Sequence, residues 1–347
     1  MKVVNTALLS YGMSGKVFHA PFINLHPGFR LTGAWERSKK LIKEDYSNVR
    51  SYDSIDELLR DTVDMVVVNT PVATHYEYTK RVLEAGKHAL VEKAFTATSA
   101  QAKELKALAE SKGLNLCVYQ NRRWDSDFLT VKQVVEQGQL GEIVEAEFRF
   151  DRYNPMLSPK AHKEEATKGS GVLRDLGAHI IDQALYMFGF PKAVFADIRI
   201  LREHSVVDDD FSIILYYDDK RVKLHSGFFV CEAVPAYAVH GHNGSFLKQR
   251  GDVQENMLKA GYIPDTPDWG SETSDMEGIL SYMKDGERHR KKVRTLQGNY
   301  YHFYEALYDA MANGGRIPVP AADGVRTMRI IDAAEESSAT KQVIQLN

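Results

Sequence analysis

A glycine-containing segment directly follows the first apolar run of the chain. Its six residues are Ser10, Tyr11, Gly12, Met13, Ser14 and Gly15. Glycines let a backbone approach a pyrophosphate, and the amino end of a following helix favours negative charge there. The same spacing is equally typical of a tight turn between a strand and a helix, and Ser10 stands where the usual fingerprint has its first glycine. The segment therefore indicates either a dinucleotide site or a plain turn, and the neighbouring segments of the sequence must distinguish the two.

An acidic residue lies where a dinucleotide site would use one. Glu36 ends the second apolar run, twenty-one residues after Gly15. A carboxylate at this place can accept hydrogen bonds from both hydroxyls of an adenosine ribose. Arg37 and the three polar residues after it could instead hold a 2′-phosphate. Because a carboxylate acts at hydrogen-bond range while exposed lysines act through screened solvent, the sequence slightly favours NAD over NADP.

A second charged pair, Glu92 and Lys93, directly follows the apolar run at residues 88–91. A lysine at the carboxyl end of a parallel strand points into the crevice where ligands of such sheets bind. Lysines are mostly surface residues, so a solvated charge is the alternative interpretation.

A histidine and two acids follow one another at helical spacing. Offsets of four and seven residues place Asp175, His179 and Asp182 along one helical face. Histidine titrates near neutrality, and a neighbouring carboxylate can orient it and raise its basicity, which suits a general base. A buried histidine near a capping acid is the equally weighted alternative.

Two other patterns predict structure and no chemistry. His240 and His242 alternate as strand ligands of a metal would, but no further ligand candidate stands near them, so a turn is favoured and no metal site is expected. The aromatic residues of 300–304 have helical spacing and indicate packing, although a tyrosine hydroxyl could reach a substrate.

The first third of the chain alternates short apolar runs with helix-period stretches. Apolar runs cover residues 3–9, 31–35, 63–70 and 88–91, and helical patterns cover residues 55–60, 75–85 and 99–112. Near-continuous apolar strands between helices are typical of a doubly wound parallel sheet. The sequence therefore predicts an α/β dinucleotide-binding domain over residues 1–122.

After Trp124 the pattern changes to alternation of apolar and polar residues, which predicts half-buried strands. The predicted strands are 143–153, 193–201, 211–217, 222–230 and 237–247, and the predicted helices are 169–188, 300–312 and 321–338. Residues 123–347 are therefore expected to form an α+β domain for substrate binding and oligomerisation, with a largely antiparallel, open-faced sheet.

Composition narrows the class of protein. The chain has 347 residues, 44% of them hydrophobic and 26% charged, with a net charge of −3. No basic field points to nucleic acid or a membrane surface, and no apolar run approaches bilayer length. The two cysteines, Cys117 and Cys231, lie in apolar runs, which favours a reducing compartment. A cytoplasmic protein without nucleic-acid or membrane partners is expected.

Taken in order, these segments resemble the Gfo/Idh/MocA family, named for glucose-fructose oxidoreductase, inositol dehydrogenase and a rhizopine catabolism protein. The markers are residues 10–15, Thr70-Pro71 with His75, 85–88 leading to Glu92-Lys93, 175–182 and the tail from residue 318. Residues 12–21, 119–130 and 182–183 resemble the branch that contains scyllo-inositol dehydrogenases. The resemblance implies a Rossmann domain, NAD or NADP as the cofactor, and a dimer or tetramer.

The resemblance also implies a role for each matching position. Lys93 is expected to contact the nicotinamide side and the reacting oxygen, Asp175 to bind substrate, and His179 to act in catalysis. The expected cofactor-binding residues are Ser10, Gly12, Met13, Ser14, Gly15, Glu36, Arg37, Thr70, Pro71, His75, Glu92, Lys93 and Asn121. The expected substrate-binding residues are Lys93, Arg122, Tyr153, His162, Asp175 and His179.

Three positions depart from the family pattern. Ala94 stands where the family's Glu-Lys-Pro motif has proline, so the loop that carries Lys93, the lysine loop, lacks the rigidity that proline would give it. His162-Lys163 replaces the branch's Trp-Arg, and Arg174 stands where the branch often has tyrosine. Since the last two positions are expected close to the substrate, a substrate other than scyllo-inositol is compatible with the sequence.

The function predicted is that of an NAD(P)-dependent oxidoreductase acting on CH-OH groups. It would transfer hydride between a secondary alcohol of a sugar or inositol-like cyclic polyol and nicotinamide. Two alternatives stay open: a non-catalytic regulatory protein that binds dinucleotide and sugar, and a reductase of a dihydrodiol or other carbonyl substrate. The open sheet face, with Glu145, Glu147 and Arg149, is expected to be covered by another subunit in a homodimer or homotetramer.

Overall fold

The computed structural model describes residues 2–159, 164–167 and 169–346. The chain falls into two compact units, each built from three separate stretches. The first unit consists of Met1–Asn121, Gln254–Trp269 and Asn299–Val325, and the second of Arg122–Val253, Gly270–Gly298 and Arg326–Asn347. The division into two domains after residue 122 stays a prediction. The units show in addition that two later stretches pack with the first 121 residues.

The first unit contains a six-stranded parallel sheet. Its strands are β1 (Val4–Leu8), β2 (Phe29–Trp35), β3 (Arg50–Tyr52), β4 (Met65–Val68), β5 (His88–Glu92) and β6 (Leu116–Tyr119). Their order in the sheet is β3-β2-β1-β4-β5-β6. This order confirms the doubly wound sheet, and it reverses between β1 and β4, where the carboxyl ends of the strands form the ligand crevice of such folds.

Ten α-helices accompany the two sheets in the described part of the chain. They are α1 (Ala20–Leu25), α2 (Ile42–Asp45), α3 (Ile55–Arg60), α4 (His75–Glu84), α5 (Ser99–Ser111), α6 (Ser126–Glu136), α7 (Ala178–Phe188), α8 (Gln254–Lys259), α9 (Tyr301–Ala312) and α10 (Ala321–Thr340). Single π-helical turns at Gly15–His19 and Leu173–Gly177 precede α1 and α7. Over the same residues, no helix is long and apolar enough to cross a membrane.

Aromatic residues of α9 fill the core of the first unit. The rings of Phe22 and Tyr304 stack with centroids 5.2 Å apart, and Phe303 meets Tyr119 edge-on at 5.0 Å. All four residues are buried. These contacts confirm the packing predicted for residues 300–304, and they explain why residues 299–325 belong to the first unit.

The second unit contains a nine-stranded mixed sheet. Its strands are β7 (Ile143–Arg149), β8 (Ala193–Arg199), β9 (Asp210–Tyr216), β10 (Arg221–Gly227), β11 (Tyr237–Gly241), β12 (Gly244–Lys248), β13 (Gly278–Lys284), β14 (Glu287–Val293) and β15 (Ile344–Gln345). The order is β14-β13-β12-β11-β7-β10-β9-β8-β15, and every neighbouring pair is antiparallel except β7 with β10. The largely antiparallel sheet is thus confirmed.

Among the predicted elements whose bounds differ in the structure, two are informative. The run 237–247 is a hairpin, β11 and β12, whose turn contains His242 and Asn243, so the expected turn near His240 is confirmed. The helix predicted from residue 169 begins only with the π-helical turn at Leu173. Gly171 has a φ of +93°, and a Cβ there would collide with the carboxylate of Asp208, so the chain turns sharply before the helix can begin.

Candidate functional site

The predicted dinucleotide loop leaves the carboxyl end of β1 and enters the π-helical turn. The backbone N–H of Gly12 donates to Ser10 Oγ at 3.2 Å, and Asn69 Nδ2 donates to the carbonyl of Ser10 at 2.8 Å. A Cβ on Gly15 would lie 2.5 Å from that carbonyl oxygen, whereas a Cβ on Gly12 would meet nothing closer than 3.6 Å. Gly15 is therefore required by the tight turn, and Gly12 and Met13 leave exposed backbone at a helical amino end, which fits a pyrophosphate.

Glu36 does not have the free carboxylate that the sequence suggested. It is buried at the end of β2, where Oε1 accepts from the N–H of Leu41 at 2.9 Å and Oε2 from the N–H of Ile42 at 3.0 Å. Both oxygens thus bind amides at the start of α2, an arrangement favourable for a carboxylate at a helical amino end. The side chain holds the loop of residues 37–41 in place.

The basic residues after Glu36 differ in their partners. Lys40 Nζ binds the carbonyl of Tyr52 and Asp53 Oδ1, each at 2.9 Å. Arg37, Ser38 and Lys39 are exposed. Of the charges expected near a 2′-phosphate, those of Arg37 and Lys39 therefore remain accessible to a ligand.

A buried polar chain supports the end of β5. Glu92 Oε1 accepts from Ser14 Oγ and lies 2.9 Å from His19 Nε2, and His19 Nδ1 lies 2.8 Å from the hydroxyl of Tyr304. Burial would raise the pKa of Glu92, but hydrogen bonds from His19 and Ser14 and the charge of Lys93 outweigh it and lower this pKa. Glu92 thus links the dinucleotide loop to the lysine loop. Sequence reasoning missed the roles of His19 and Tyr304.

Lys93 follows β5 as predicted, and its side chain is partly exposed. Its backbone N–H donates to Glu92 Oε2 at 3.2 Å, and the peptide bond to Ala94 is cis. The ring of His75 lies 2.7 Å from the carbonyl of Thr70 and 3.1 Å from that of Ala94. His75 is buried, which lowers its pKa. It ties the loop after β4 to the loop after β5 and so positions Lys93.

The predicted acid and histidine lie in the second unit. Asp175 belongs to the π-helical turn and is half-buried, while His179 follows in the first turn of α7 and is 6% exposed. The rings of His179 and Phe150 have centroids 6.4 Å apart. Asp182, predicted on the same helical face as Asp175 and His179, has a partner of its own. Both of its oxygens accept hydrogen bonds from the guanidinium of Arg123, at 2.7 and 2.8 Å. This buried pair holds α7 to the segment before α6.

The remaining predicted residues have varied environments. Asn121 is buried at the start of the 3-10 turn Asn121–Trp124, and Tyr153 is 60% exposed and forms a β-bridge with Phe229. Arg122 Nη1 lies 3.5 Å from Asp125 Oδ2. Arg174 is buried and pairs with Glu335 of α10. His162 lies outside the described residues. Thr70 Oγ1 and Thr74 Oγ1 form a hydrogen bond of 2.7 Å, and Pro71 is exposed. Within the described ranges, no cluster of His, Cys, Asp and Glu could hold a metal ion.

Two family models match the chain, one over the residues of the first sheet and one over those of the second. Residues 4–120 match a model described as an oxidoreductase family with an NAD-binding Rossmann fold, and residues 132–346 match the C-terminal alpha/beta domain of the same family. The chain belongs to the Gfo/Idh/MocA oxidoreductase family. The resemblance seen in the sequence is thereby confirmed, and this Gfo/Idh/MocA protein is an NAD(P)-binding oxidoreductase.

One named relative and two solved structures are similar to nearly the whole chain. The Gfo/Idh/MocA protein is 35% identical over 344 residues to the scyllo-inositol 2-dehydrogenase (NADP(+)) IolW of Bacillus subtilis, covering 99% of this chain and 96% of the relative. An oxidoreductase structure from Bacteroides fragilis has 42% identity and a TM-score of 0.90, with 99% and 100% of the two chains covered. The oxidoreductase yvaA of Bacillus subtilis has 34% identity and a TM-score of 0.97, with 100% and 99% covered.

Proposed function

We propose that this oxidoreductase oxidises a secondary alcohol of a sugar or cyclic polyol and, in the reverse direction, reduces the ketone. The observation that carries the proposal is the presence, in a chain of this family, of a lysine directly after β5 and of a buried imidazole on α7. A proton acceptor and a cation are what alcohol oxidation requires, since the hydroxyl proton leaves while negative charge develops on its oxygen. The named activity of the 35% identical relative supports an inositol-like substrate.

Each side chain has one task in this scheme. The nicotinamide, when bound, supplies the hydride acceptor. His179 takes the hydroxyl proton, and its buried position limits exchange of that proton with bulk water. The ammonium of Lys93 stabilises the negative charge on the substrate oxygen. Asp175 accepts a hydrogen bond from a substrate hydroxyl. Ser14 and Glu92 hydrogen-bond the loop of residues 10–15 to the end of β5, and His75 holds the loop after β4 to the loop after β5.

We further propose NADP as the preferred cofactor, which reverses the preference drawn from the sequence. The sequence favoured NAD because Glu36 was expected to face the ribose. Its two oxygens instead accept the amides of Leu41 and Ile42, and Arg37 is exposed directly beside it. A guanidinium binds phosphate in two-pronged geometry, which compensates for the charge of the nearby carboxylate.

A substrate panel tests the reaction. Wild-type protein is assayed with inositols, aldoses and keto-sugars, each with NAD(H) and NADP(H), and cofactor reduction or oxidation is followed by absorbance. The proposal expects turnover of at least one polyol or its ketone. Tight binding of NADPH without hydride transfer to any panel member would favour a regulatory protein, and turnover restricted to aromatic dihydrodiols would favour the other reductase.

A further inference from the structure

A buried histidine of the first unit has an oxygen partner at each of its ring nitrogens. His19 ends the π-helical turn Gly15–His19, and its side chain has no exposed surface. Nε2 lies 2.9 Å from Glu92 Oε1, and Nδ1 lies 2.8 Å from the hydroxyl oxygen of Tyr304. A neutral imidazole has one N–H and one bare nitrogen, whereas an imidazolium donates from both nitrogens. The protons of the two neighbours therefore decide which form the ring takes.

The single proton of the Tyr304 hydroxyl is used away from His19. The Tyr304 oxygen lies 2.7 Å from the carbonyl oxygen of Phe18. Two oxygens at this distance need a proton between them, and a carbonyl has none to give, so Tyr304 is the donor. The hydroxyl of Tyr119 donates to the same carbonyl at 3.0 Å, which the second lone pair accommodates. The Tyr304 oxygen is thus left to accept from His19, and Nδ1 carries a proton.

The carboxylate of Glu92 has no proton to offer to Nε2. Its Oε1 accepts from the hydroxyl of Ser14, and its Oε2 accepts from the backbone N–H of Lys93 at 3.2 Å. Burial opposes the ionisation of Glu92, but the hydrogen bonds and the charge of its neighbours outweigh burial and lower its pKa. Because an ionised carboxylate only accepts hydrogen bonds, Nε2 carries a proton as well.

The two protons make His19 an imidazolium that pairs with Glu92. A buried carboxylate is costly unless a cation and hydrogen bonds compensate its charge, and the Nε2–H of an imidazolium provides both. Other ionisable groups near this pair are a phenol and an ammonium. The ring of Tyr119 lies 4.5 Å from that of His19, and the charge of Lys93 acts on Glu92. A neutral ring that kept its proton toward Glu92 would turn a bare Nδ1 to the Tyr304 oxygen, where two lone pairs repel.

We propose that His19 is a positioning residue with a proton on each ring nitrogen, one bound by Tyr304 and the other by Glu92. The ionised Glu92 in turn holds the hydroxyl of Ser14 and the amide of Lys93, so His19 fixes the dinucleotide loop and the lysine loop through it. When the ring loses a proton at alkaline pH, the ion pair is lost and the affinity for the nicotinamide cofactor falls. The inference goes beyond the proposed function, since neither protonation nor cofactor binding requires a substrate.

NMR of the histidine rings of the full chain measures this protonation directly. The ring nitrogens of the 12 histidines are labelled with 15N, and spectra are recorded at pH 7 with and without NADPH. The two nitrogens of a neutral ring differ widely in 15N chemical shift, whereas those of an imidazolium nearly coincide. We expect coincident shifts for His19. His26 is the internal reference, because its Nδ1 accepts from the N–H of Gly28 at 3.0 Å and burial lowers its pKa, so it should be neutral. A neutral His19 at pH 7 would overturn the inference.

A variant of the phenol tests the contact at Nδ1. Tyr304→Phe keeps the ring and removes the oxygen that accepts from His19. The pH at which His19 loses a proton should fall by about one unit, the size of one net hydrogen bond, and the alkaline loss of NADPH affinity should move with it. Tyr308→Phe is the matched control, because Tyr308 lies on the same helix and donates to the carbonyl of Lys2 at 2.8 Å. It should move neither midpoint. An unmoved midpoint in Tyr304→Phe would contradict the assigned contact.

A variant of the histidine tests its positioning role. His19→Gln stays neutral at every pH, although its amide can still donate to Glu92, and the signals that it lacks identify those of His19. Fluorescence titration should show NADPH binding weaker by about tenfold or more at pH 7, the range of a lost charge-assisted hydrogen bond, and no further loss at alkaline pH. With a turned-over substrate, KM for the cofactor should change more than kcat. Wild-type affinity with the alkaline loss intact would refute the role. If His19→Gln does not fold, the wild-type spectrum and Tyr304→Phe decide.

Discussion

At the scale of single residues, Glu36 shows how a position can match a motif while its side chain serves the fold. Its place after β2 is the one that ribose-binding acids occupy, and only the structure shows that both oxygens accept the amides of Leu41 and Ile42. The two donors come from the polypeptide and not from a ligand. A sequence gives the position of such an acid but not its rotamer.

This contact makes a prediction about cofactor choice. Arg37→Gln should lower the ratio of kcat/KM for NADP to that for NAD by about tenfold or more, because a two-pronged contact to the 2′-phosphate is lost. Lys40→Gln should change the ratio less than about twofold, since Lys40 is bound to Tyr52 and Asp53. A wild-type preference for NAD, unaltered by Arg37→Gln, would restore the interpretation drawn from the sequence.

Asp208 carries a second prediction at this scale. Burial raises its pKa to about 6 from a usual value of 3.8, and the hydrogen bond from the N–H of Leu173, at 2.7 Å, only partly offsets this. The folded state therefore holds the proton more tightly than the unfolded chain. The contribution of this group to the free energy of unfolding is largest below about pH 4 and falls by about 3 kcal/mol as the pH rises through 6.

Urea unfolding of wild type and Asp208→Asn at pH 4 and pH 7 measures this effect. The variant should gain stability relative to wild type between the two pH values, by up to about 3 kcal/mol, because its amide does not ionise. Asp268→Asn, at an exposed acid, should track the wild type. An unchanged difference between Asp208→Asn and wild type at the two pH values would contradict a raised pKa.

At the scale of elements, the dinucleotide loop yields a paired prediction on its two glycines. Gly15→Ala should lower Tm by several degrees, because its Cβ would lie 2.5 Å from the carbonyl oxygen of Ser10 and 2.9 Å from Asn69 Nδ2. Gly12→Ala has room for its Cβ, so Tm should stay within about a degree. If the loop holds the pyrophosphate, Gly12→Ala should nevertheless weaken NADPH binding by fluorescence titration. Equal thermal shifts in both variants would contradict this account.

The sequence predicted most elements whose pattern reflects burial, although the buried strand Leu116–Tyr119 and the helix Ser126–Glu136 were not among them, and it missed elements whose pattern does not reflect burial. The buried parallel strand Met65–Val68 is apolar throughout, and it was found. The edge strand β14 is charged along most of its length, as edge strands that resist further pairing commonly are, and it has no apolar alternation to detect. His19 and Tyr304 lie 285 residues apart, so their hydrogen bond depends on tertiary packing that no local pattern encodes.

At the scale of the whole molecule, the open face of the second sheet predicts self-association, which stays a proposal. Ile214, Leu247 and Ile279 are partly exposed on this face, on the same side as Glu145 and Glu147. Such a surface is of the kind that a second subunit covers. Light scattering at micromolar concentration should give two or four times the mass of the chain.

A substitution on that face tests where the subunits meet. Ile214→Lys should dissociate the assembly, because it would bury an unpaired charge in the interface. Ile263→Lys is the control, since Ile263 is exposed in the first unit, and it should leave the mass unchanged. A monomeric wild type, or an unaltered mass in Ile214→Lys, would contradict the proposal.

The central claim is the proposal that His179 takes the proton of a substrate alcohol and Lys93 stabilises the charge on its oxygen during hydride transfer, and single-turnover kinetics of Lys93→Ala and His179→Ala test it most directly. With saturating NADP and the best substrate of the panel, each variant should form NADPH at least about a hundredfold more slowly than wild type, the usual worth of one positioned acid-base or electrostatic group. Fluorescence titration should show that both still bind NADPH. Rates within a few-fold of wild type in either variant would contradict the assigned roles.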